Sequence, residues 1–250
     1  MHADKKNLFG RDYFESAEGL RNKRIYNWDN AKLYFKVLSS SINNVIKPGK
    51  ALDIGCAKGY LAYLFKELGI DVYGVDVSSY AISCAPAEIK DRLFVVNIEQ
   101  DNLPFPAGIF DLITITEVLE HLDSFDILMQ GVRNVLKNGG YVFITTPTPF
   151  GRYARTDKTH INIHFRGYWI RLFRKYGLIL VRDHTWRNFK IKFLREFRKI
   201  MPDNPPSTGI SASLKRMGKV GNGIRNNFLP YIDYFSPFRS DEILLFRRID

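Results

Sequence analysis

The sequence predicts an α/β fold: a doubly wound, mostly parallel sheet with helices on both faces. Three observations predict it. Short apolar runs alternate with segments of helical period from residue 29 to about residue 186. A glycine-rich loop, Asp53-Ile54-Gly55-Cys56-Ala57-Lys58-Gly59, stands where the first strand hands over to a helix, the place at which such sheets bind ligands. The chain has 250 residues, 45% hydrophobic and 25% charged, which suffices to bury one sizeable core.

The elements follow in order. Leu33, Val37, Leu38 and Ile42 repeat at helical spacing over residues 29–46, and Pro48-Gly49 ends the run, so an amphipathic helix is expected on the edge of the sheet. Residues 51–54 are a short buried strand, and 58–68 a helix closed by Gly69. The second strand covers 71–75, a helix lies near 80–84, and the third strand covers 93–97. Leu103-Pro104-Phe105-Pro106 is a proline-limited loop before the fourth strand, 110–116. A helix over 125–136, a turn at Lys137-Asn138-Gly139-Gly140 and a fifth strand over 141–145 complete the alternation. Beyond it, 168–176 reads as a helix capped by Gly177, 178–186 as a strand and 242–248 as a last strand. Between those two strands lies an insertion whose prolines and glycines favour a loop or lid, with a helical reading for 191–200. The expected organisation is an N-terminal helical cap (1–49), a core (50–187), a basic insertion (188–240) and a final core strand (241–250).

Composition narrows the class. No run approaches the roughly 20 apolar residues that span a bilayer, and the first ten residues are polar and charged, so a soluble, cytoplasmic protein is expected. Cys56 and Cys84 are too few for a disulfide framework and lack zinc-site spacing. The formal charge of +11 is concentrated: ten Lys and Arg face Glu196, Asp203 and Asp233 between Asn188 and Arg239, a net +7. Such a segment meets a phosphorylated substrate, nucleic acid or a membrane surface, or is a solvated face.

The glycine loop alone does not identify a ligand, because dinucleotide enzymes use a similar turn to seat pyrophosphate. Asp53 separates the cases. It lies two residues before the first glycine, where it suits a cation and repels pyrophosphate, which disfavours an NAD-dependent oxidoreductase. Further landmarks follow at Gly74-Val75-Asp76-Val77-Ser78, at Asn97-Ile98, at Leu103–Pro106 with Phe110-Asp111-Leu112-Ile113, and at Glu117-Val118-Leu119-Glu120-His121. Asp76 and Ser78 also have a plain reading as residues that start the next helix.

Over residues 50–146 these landmarks resemble the class I S-adenosylmethionine-dependent methyltransferases, with Ala57 in place of the middle glycine. The resemblance implies a Rossmann-like sheet of seven strands whose last strand, 242–248, inserts antiparallel beside the fifth. It implies S-adenosyl-L-methionine as cofactor, with its ammonium near Asp53 and its methionine end on Gly55, Cys56, Ala57 and Gly59. The ribose hydroxyls would meet Asp76 beside Val77, the adenine would meet Asn97 and Ile98, and Glu117 would wall the pocket.

On the acceptor side, an alcohol needs a base, and His121, Asp157, His160 and His164 are candidates. The Asp157-Lys158-Thr159-His160 run resembles a feature of many small-molecule methyltransferases, and His160 is assigned as the base; Thr159 and His160 also have a purely loop-fixing reading. Glu117, Glu120 and His121 would share one face if the segment is helical and, with a later histidine, would form an oxygen and nitrogen donor set. That run resembles the metal-binding segment of small-RNA 2′-O-methyltransferases and of ubiquinone-pathway O-methyltransferases, but it also occurs where no metal is needed, and no metal is assigned. Tyr13, Phe14, Tyr26 and Trp28 form either a lid or ordinary packing, and Tyr231, Tyr234, Phe235 and Phe238 either stack on a ligand or anchor the insertion. Lys58 has no assigned role.

The function expected is O-methylation of a small-molecule, sugar or glycan-linked acceptor, anionic in the basic insertion's reading. An RNA methyltransferase and a non-catalytic cofactor-binding scaffold are the alternatives. Against RNA, no binding module is recognisable, and Thr116-Glu117-Val118-Leu119 stands where amino-methylating nucleic-acid enzymes carry Asn or Asp-Pro-Pro-Tyr/Phe.

Overall fold

Alternation of side chains along the strands builds two cores from one sheet. The computed structural model describes residues 5–15, 28–149, 154, 157–183, 186, 189, 193, 196 and 241–249. Its strands are β1 (Lys50–Ile54), β2 (Asp71–Asp76), β3 (Leu93–Val95), β4 (Phe110–Thr116), β5 (Leu136–Pro147), β6 (Leu178–Leu180) and β7 (Asp241–Arg248), in the order β3-β2-β1-β4-β5-β7-β6. β1 to β5 run parallel, and β7 lies antiparallel between β5 and β6. This is the seven-stranded Rossmann-like arrangement that the resemblance implies.

On one face Leu52, Ile54, Ile113, Ile115, Val142, Ile144, Leu244 and Phe246 pack against α7 (Asp126–Val135) and α8 (Arg166–Lys175). On the other, Ala51, Val72, Leu112, Phe143 and Leu245 pack against α3 (Trp28–Ile46) and α4 (Tyr60–Glu67). Burial on both faces makes the strands nearly continuous apolar runs. Each fully buried Leu or Phe contributes about 2 kcal/mol. The remaining helices are short: α1 (Lys5–Leu8), α2 (Arg11–Glu15), α5 (Ser79–Ser83) and α6 (Ala87–Lys90).

Local chemistry sets the boundaries. Gly69, at φ +80°, donates to Lys66 O at 2.8 Å, and Ile70 N–H reaches Phe65 O at 3.1 Å, closing α4 with both bonds of a left-handed cap. Ser78 Oγ accepts the Ala81 amide at 3.0 Å and starts α5.

Four expectations need correction. Leu33 is 46% exposed, and the buried stripe of α3 runs through Ala31, Leu38 and Ile42, which lays the helix on the sheet face rather than its edge. The third strand stops at Val95, although Val96 N–H still bonds Asp76 O at 2.9 Å. The residues Lys137–Gly140 are a bulge, not a separating turn, because pairing passes from Phe110↔Leu136 to Leu112↔Tyr141 within one strand. The sixth strand ends at Leu180, and Trp186 is helical: with Phe189 and Phe193, at spacings of three and four, it stacks into the core on the α3 side. The insertion's basic residues, its aromatics Tyr231, Tyr234, Phe235 and Phe238, and Tyr26 lie outside the described residues.

Candidate active site

β1 lies between β2 and β4, so the loops after β1 and β4 leave the sheet toward opposite faces and open a cleft between them. The glycine loop forms one wall. Gly55 and Gly59 sit at φ +74° and +70°, and a Cβ on them would come within 2.1 Å of Val118 Cγ2 and 2.7 Å of Leu93 Cδ1. Both positions therefore require glycine twice over, for backbone and for space. Ala57 also takes a left-handed conformation, φ +47°, at the position where the family motif carries its middle glycine.

Hydrogen bonds tie this loop to β2. Gly55 and Cys56 amides donate to Val75 O at 2.8 and 3.0 Å, and Ala57 N–H donates to Asp76 Oδ2 at 2.8 Å. Asp76 Oδ1 accepts the Ser78 amide at 2.8 Å. Burial raises the Asp76 carboxyl above its ordinary pKa against these amides, which favour the carboxylate. Asp53 is buried to 2% exposure and accepts the Thr114 hydroxyl at 2.7 Å. Burial, with the charge of Asp76 adding to it, pushes its pKa to about 7. Among the described residues no lysine or arginine pairs with Asp53. A buried carboxyl without a cation, facing a cradle that excludes side chains, fits a cofactor that brings its own ammonium. The buried Cys56 thiol is pushed well up by the same desolvation.

The other expected cofactor residues line the same end of the sheet. Val77 is half-buried and follows Asp76. Asn97 Oδ1 accepts the Glu99 amide at 3.2 Å while its own amide donates to Asp101 Oδ2 at 2.9 Å. Ile98 is buried with Val96, Leu103 and Leu119. Glu117 is exposed, holds φ +53° and donates its amide to Thr145 O at 3.0 Å. That left-handed residue precedes a single 3-10 turn, Leu119–His121, so Glu117, Glu120 and His121 do not form the expected face of a regular helix.

The second wall joins that turn to the loop after β5. Ile161 and Asn162 amides both donate to Glu120 O, at 2.8 and 2.9 Å, and this draws His160 against His121 with ring centroids 4.8 Å apart. The carbonyl oxygens of Thr159 and Ala154 can only accept, so their contacts of 3.2 and 3.0 Å place the proton of each imidazole on Nδ1. In the neutral form of each ring the free lone pair is therefore on Nε2. Burial, then the neighbouring His160, pushes the His121 pKa down to about 4.

Glu120 is fully buried; Thr146 donates to its Oε2 at 3.1 Å, and its Oε1, 4.0 Å from His121 Nε2, has no hydrogen-bond partner among the described residues. Burial first, and Glu117 second, hold its carboxyl well above the usual range. Glu120, His121 and His160 each offer a ligating atom within 4.8 Å of one another. Asp157, the other loop acid, accepts the Thr159 hydroxyl at 2.6 Å. His164 goes elsewhere: it stacks on Tyr168 at 3.7 Å and bonds Asn162, away from the pair.

Two contacts of the N-terminal residues reach these walls. Tyr13 lies edge-on to His121, with centroids 6.4 Å apart, and Lys58 pairs with Glu15 at 2.8 Å. Trp28, in contrast, packs on Tyr60 and Tyr63 of α4.

Comparison with known proteins agrees with this geometry. A family model described as a methyltransferase domain matches residues 30–183, more than half of the chain. The chain is 32% identical over 101 residues to the ubiquinone biosynthesis O-methyltransferase of Pectobacterium carotovorum subsp. carotovorum, which covers 39% of this chain and 42% of that protein. Less than half of that relative's length is thus represented. The structure of the plantazolicin methyltransferase BpumL, in complex with a monoazolic desmethylPZN analog and SAH, superposes with a TM-score of 0.57 at 16% identity, covering 98% of this chain and 95% of that one. A putative methyltransferase in complex with the Haloferax volcanii Trm112 methyltransferase activator superposes with a TM-score of 0.58 at 11% identity, covering 95% and 98%. Among the described residues no helix is long and apolar enough to cross a membrane. The fold, the cofactor loop and the matched domain together establish that the chain belongs to the methyltransferase-domain family of class I S-adenosylmethionine-dependent enzymes.

Proposed function

We propose that this chain methylates a hydroxyl group of a small-molecule acceptor, with a sugar or glycan-linked alcohol as the class most consistent with its site. The observation that carries this reading is the pair of imidazoles, His121 and His160, 4.8 Å apart on the wall opposite the glycine loop, each bonded through Nδ1 so that Nε2 is the nitrogen left for an acceptor. S-adenosylmethionine supplies an electrophilic methyl group when bound. Asp53 orients its ammonium, Asp76 with Val77 its ribose, Asn97 and Ile98 its adenine, and Gly55, Cys56, Ala57, Gly59 and Glu117 enclose it. Held there, the cofactor would supply its methyl group to the acceptor oxygen and leave as the neutral thioether, and His160 Nε2 would take the hydroxyl proton. Asp157, 3.8 Å from that nitrogen, stabilises the imidazolium.

Asp53, Asp76, Glu117, Glu120 and Asp157 put carboxyl groups around the cleft, which favours an uncharged reacting end on the acceptor, while the net positive charge of the insertion's sequence favours an anionic group elsewhere on it. The division into cap (1–49), core (50–187), insertion (188–240) and final strand (241–250), and a cytoplasmic setting, belong to the same reading. A mass-shift screen of alcohols with S-adenosylmethionine tests it: a gain of one methyl group is expected, lost in His160→Ala while cofactor binding remains.

A second reading rests on Glu120 Oε1, buried and without a hydrogen bond among the described residues, beside two imidazoles. A divalent ion held by Glu120, His121 and His160 would satisfy that oxygen and lower the acceptor's pKa directly. Turnover that survives exhaustive EDTA treatment excludes it; turnover restored by added divalent metal replaces His160 as base.

A further inference from the structure

The described N-terminal residues cross the mouth of the cleft and are pinned on both sides of it. At one end Lys5 Nζ donates to His121 O at 2.6 Å and pairs with Glu99 and with Asp123, the latter at 3.2 Å. The Lys5 and Glu99 side chains are each only 10% exposed, which makes this a seated ion pair rather than a surface one. At the other end Glu15 Oε1 accepts from Lys58 at 2.8 Å and from the Tyr80 hydroxyl at 3.0 Å. Lys58 belongs to the glycine loop after β1, Tyr80 to the helix after β2, Glu99 to the loop after β3 and His121 to the turn after β4. The segment therefore spans the carboxyl ends of four strands, where the cofactor of this family lies.

Between the pins the contacts are aromatic and point inward. Phe9 meets the His121 ring edge-on at 5.3 Å, Tyr13 meets both at 4.9 and 6.4 Å, and Phe14 approaches Tyr80 at 6.4 Å. The Tyr13 hydroxyl is hydrogen-bonded to Thr159, and burial, then the charges of Asp157 and Glu120, keep it protonated far above neutral pH. The Thr159 hydroxyl already donates its one proton to Asp157. Its lone pairs receive Tyr13 and His121, so Tyr13 is the donor.

We propose that residues 5–15 are a gating strap over the cofactor cleft, latched by the Glu15–Lys58 pair and closed against the acceptor wall by Tyr13. The inference rests on the methyltransferase reading above and gives Lys58 a role that phosphate or cofactor contact does not. The strap must open for the cofactor to exchange, which breaks the Glu15–Lys58 pair. Tyr13 acts through Thr159 and the His121 ring, which makes it a positioning residue that excludes water from the acceptor wall.

The test is the rate of SAH release from the full-length chain in wild type, Glu15→Lys, Lys58→Glu, the double charge swap, Tyr13→Phe and Thr159→Ser. Each single reversal is expected to speed release about fivefold, the worth of one modest interaction, and the swap to restore it. Tyr13→Phe is expected to speed release likewise, whereas Thr159→Ser, which keeps the hydroxyl, does not. Hydrogen exchange of the 5–15 amides in the ligand-free chain gives the same series without cofactor: protection falls in the single reversals and returns in the swap. If SAH binds and neither release nor exchange responds to the reversals, the strap is ordinary packing and the inference is overturned. Absence of SAH binding in wild type, with exchange still following the swap, overturns the cofactor reading instead and leaves the latch standing.

Discussion

Val118 Cγ2 occupies the space that a side chain on Gly55 would need: a Cβ built on Gly55 would lie 2.1 Å from it. The two walls of the cleft thus meet at one apolar contact, with the acid that opens the cofactor loop, Asp53, two residues from it. Gly55→Ala adds a methyl at φ +74° and pushes Val118 away, carrying the turn that bears Glu120 and His121. We expect calorimetry to show at least about a hundredfold loss of cofactor affinity, nearly 3 kcal/mol, with a clear fall in melting temperature. A variant that binds normally would show that the walls are not coupled at Gly55.

Ala57 makes the opposite prediction. Its left-handed backbone costs about 1 kcal/mol that a glycine would not pay, while glycine adds unfolded-state entropy of similar size. Ala57→Gly should therefore match wild type within about 1 kcal/mol in urea unfolding, and Ala57→Val should be less stable than either because branching worsens the strain.

Asp53 predicts a pH dependence with a definite sign. Its folded pKa of about 7 lies above its ordinary 3.8, so the folded state holds a proton that the unfolded state gives up between these values. This group's contribution to stability is complete below about pH 4 and disappears as pH rises through about 7. A bound ammonium favours the carboxylate, so cofactor affinity should rise from pH 6 to 8, with proton uptake on release. Asp53→Asn should flatten both curves, bind the cofactor more weakly and be no less stable at pH 8. Retention of the wild-type affinity profile in Asp53→Asn would remove this group from the site.

The two loop histidines should separate cleanly. His160 faces His121, whereas His164 stacks on Tyr168 at 3.7 Å with its rings nearly parallel. His164→Ala should cost about 1 kcal/mol of stability and leave turnover near wild type. His160→Ala should lower turnover by about a hundredfold or more with little change in melting temperature. Equal kinetic losses would mean that the loop as a whole, and not one imidazole, matters.

Much of this was legible from local pattern. Strand β4 covers the expected residues 110–116, and Gly69 and Gly177 close their helices at φ +80° and +74°, because burial period and left-handed caps are properties of a few adjacent residues. The positions of Asp53 and Asp76, the acids proposed for the cofactor, were readable for the same reason: each sits at a strand end beside a glycine or a helix start. What failed to show was long-range. Lys58 meets Glu15 across 43 residues and His121 meets Thr159 across 38, and neither partner is implied by its neighbours in sequence. The helical condition on which Glu117, Glu120 and His121 would share a face is not met, because Glu117 is left-handed and the turn folds back to place Val118 on Gly55. Trp186 read as strand because it follows the apolar run Leu178–Val181; the spacing of Phe189 and Phe193 shows the helical face only once all three are seen stacked.

The central claim is that the cleft between the β1 and β4 loops holds a cationic, phosphate-free cofactor. Calorimetric titration with S-adenosylmethionine and with NAD, on wild type and on Asp76→Ala, tests it most directly. The account predicts saturable binding of S-adenosylmethionine alone and its loss in the variant, where the Ala57 and Ser78 amides lose their acceptor. Binding of NAD with no response to S-adenosylmethionine would contradict it.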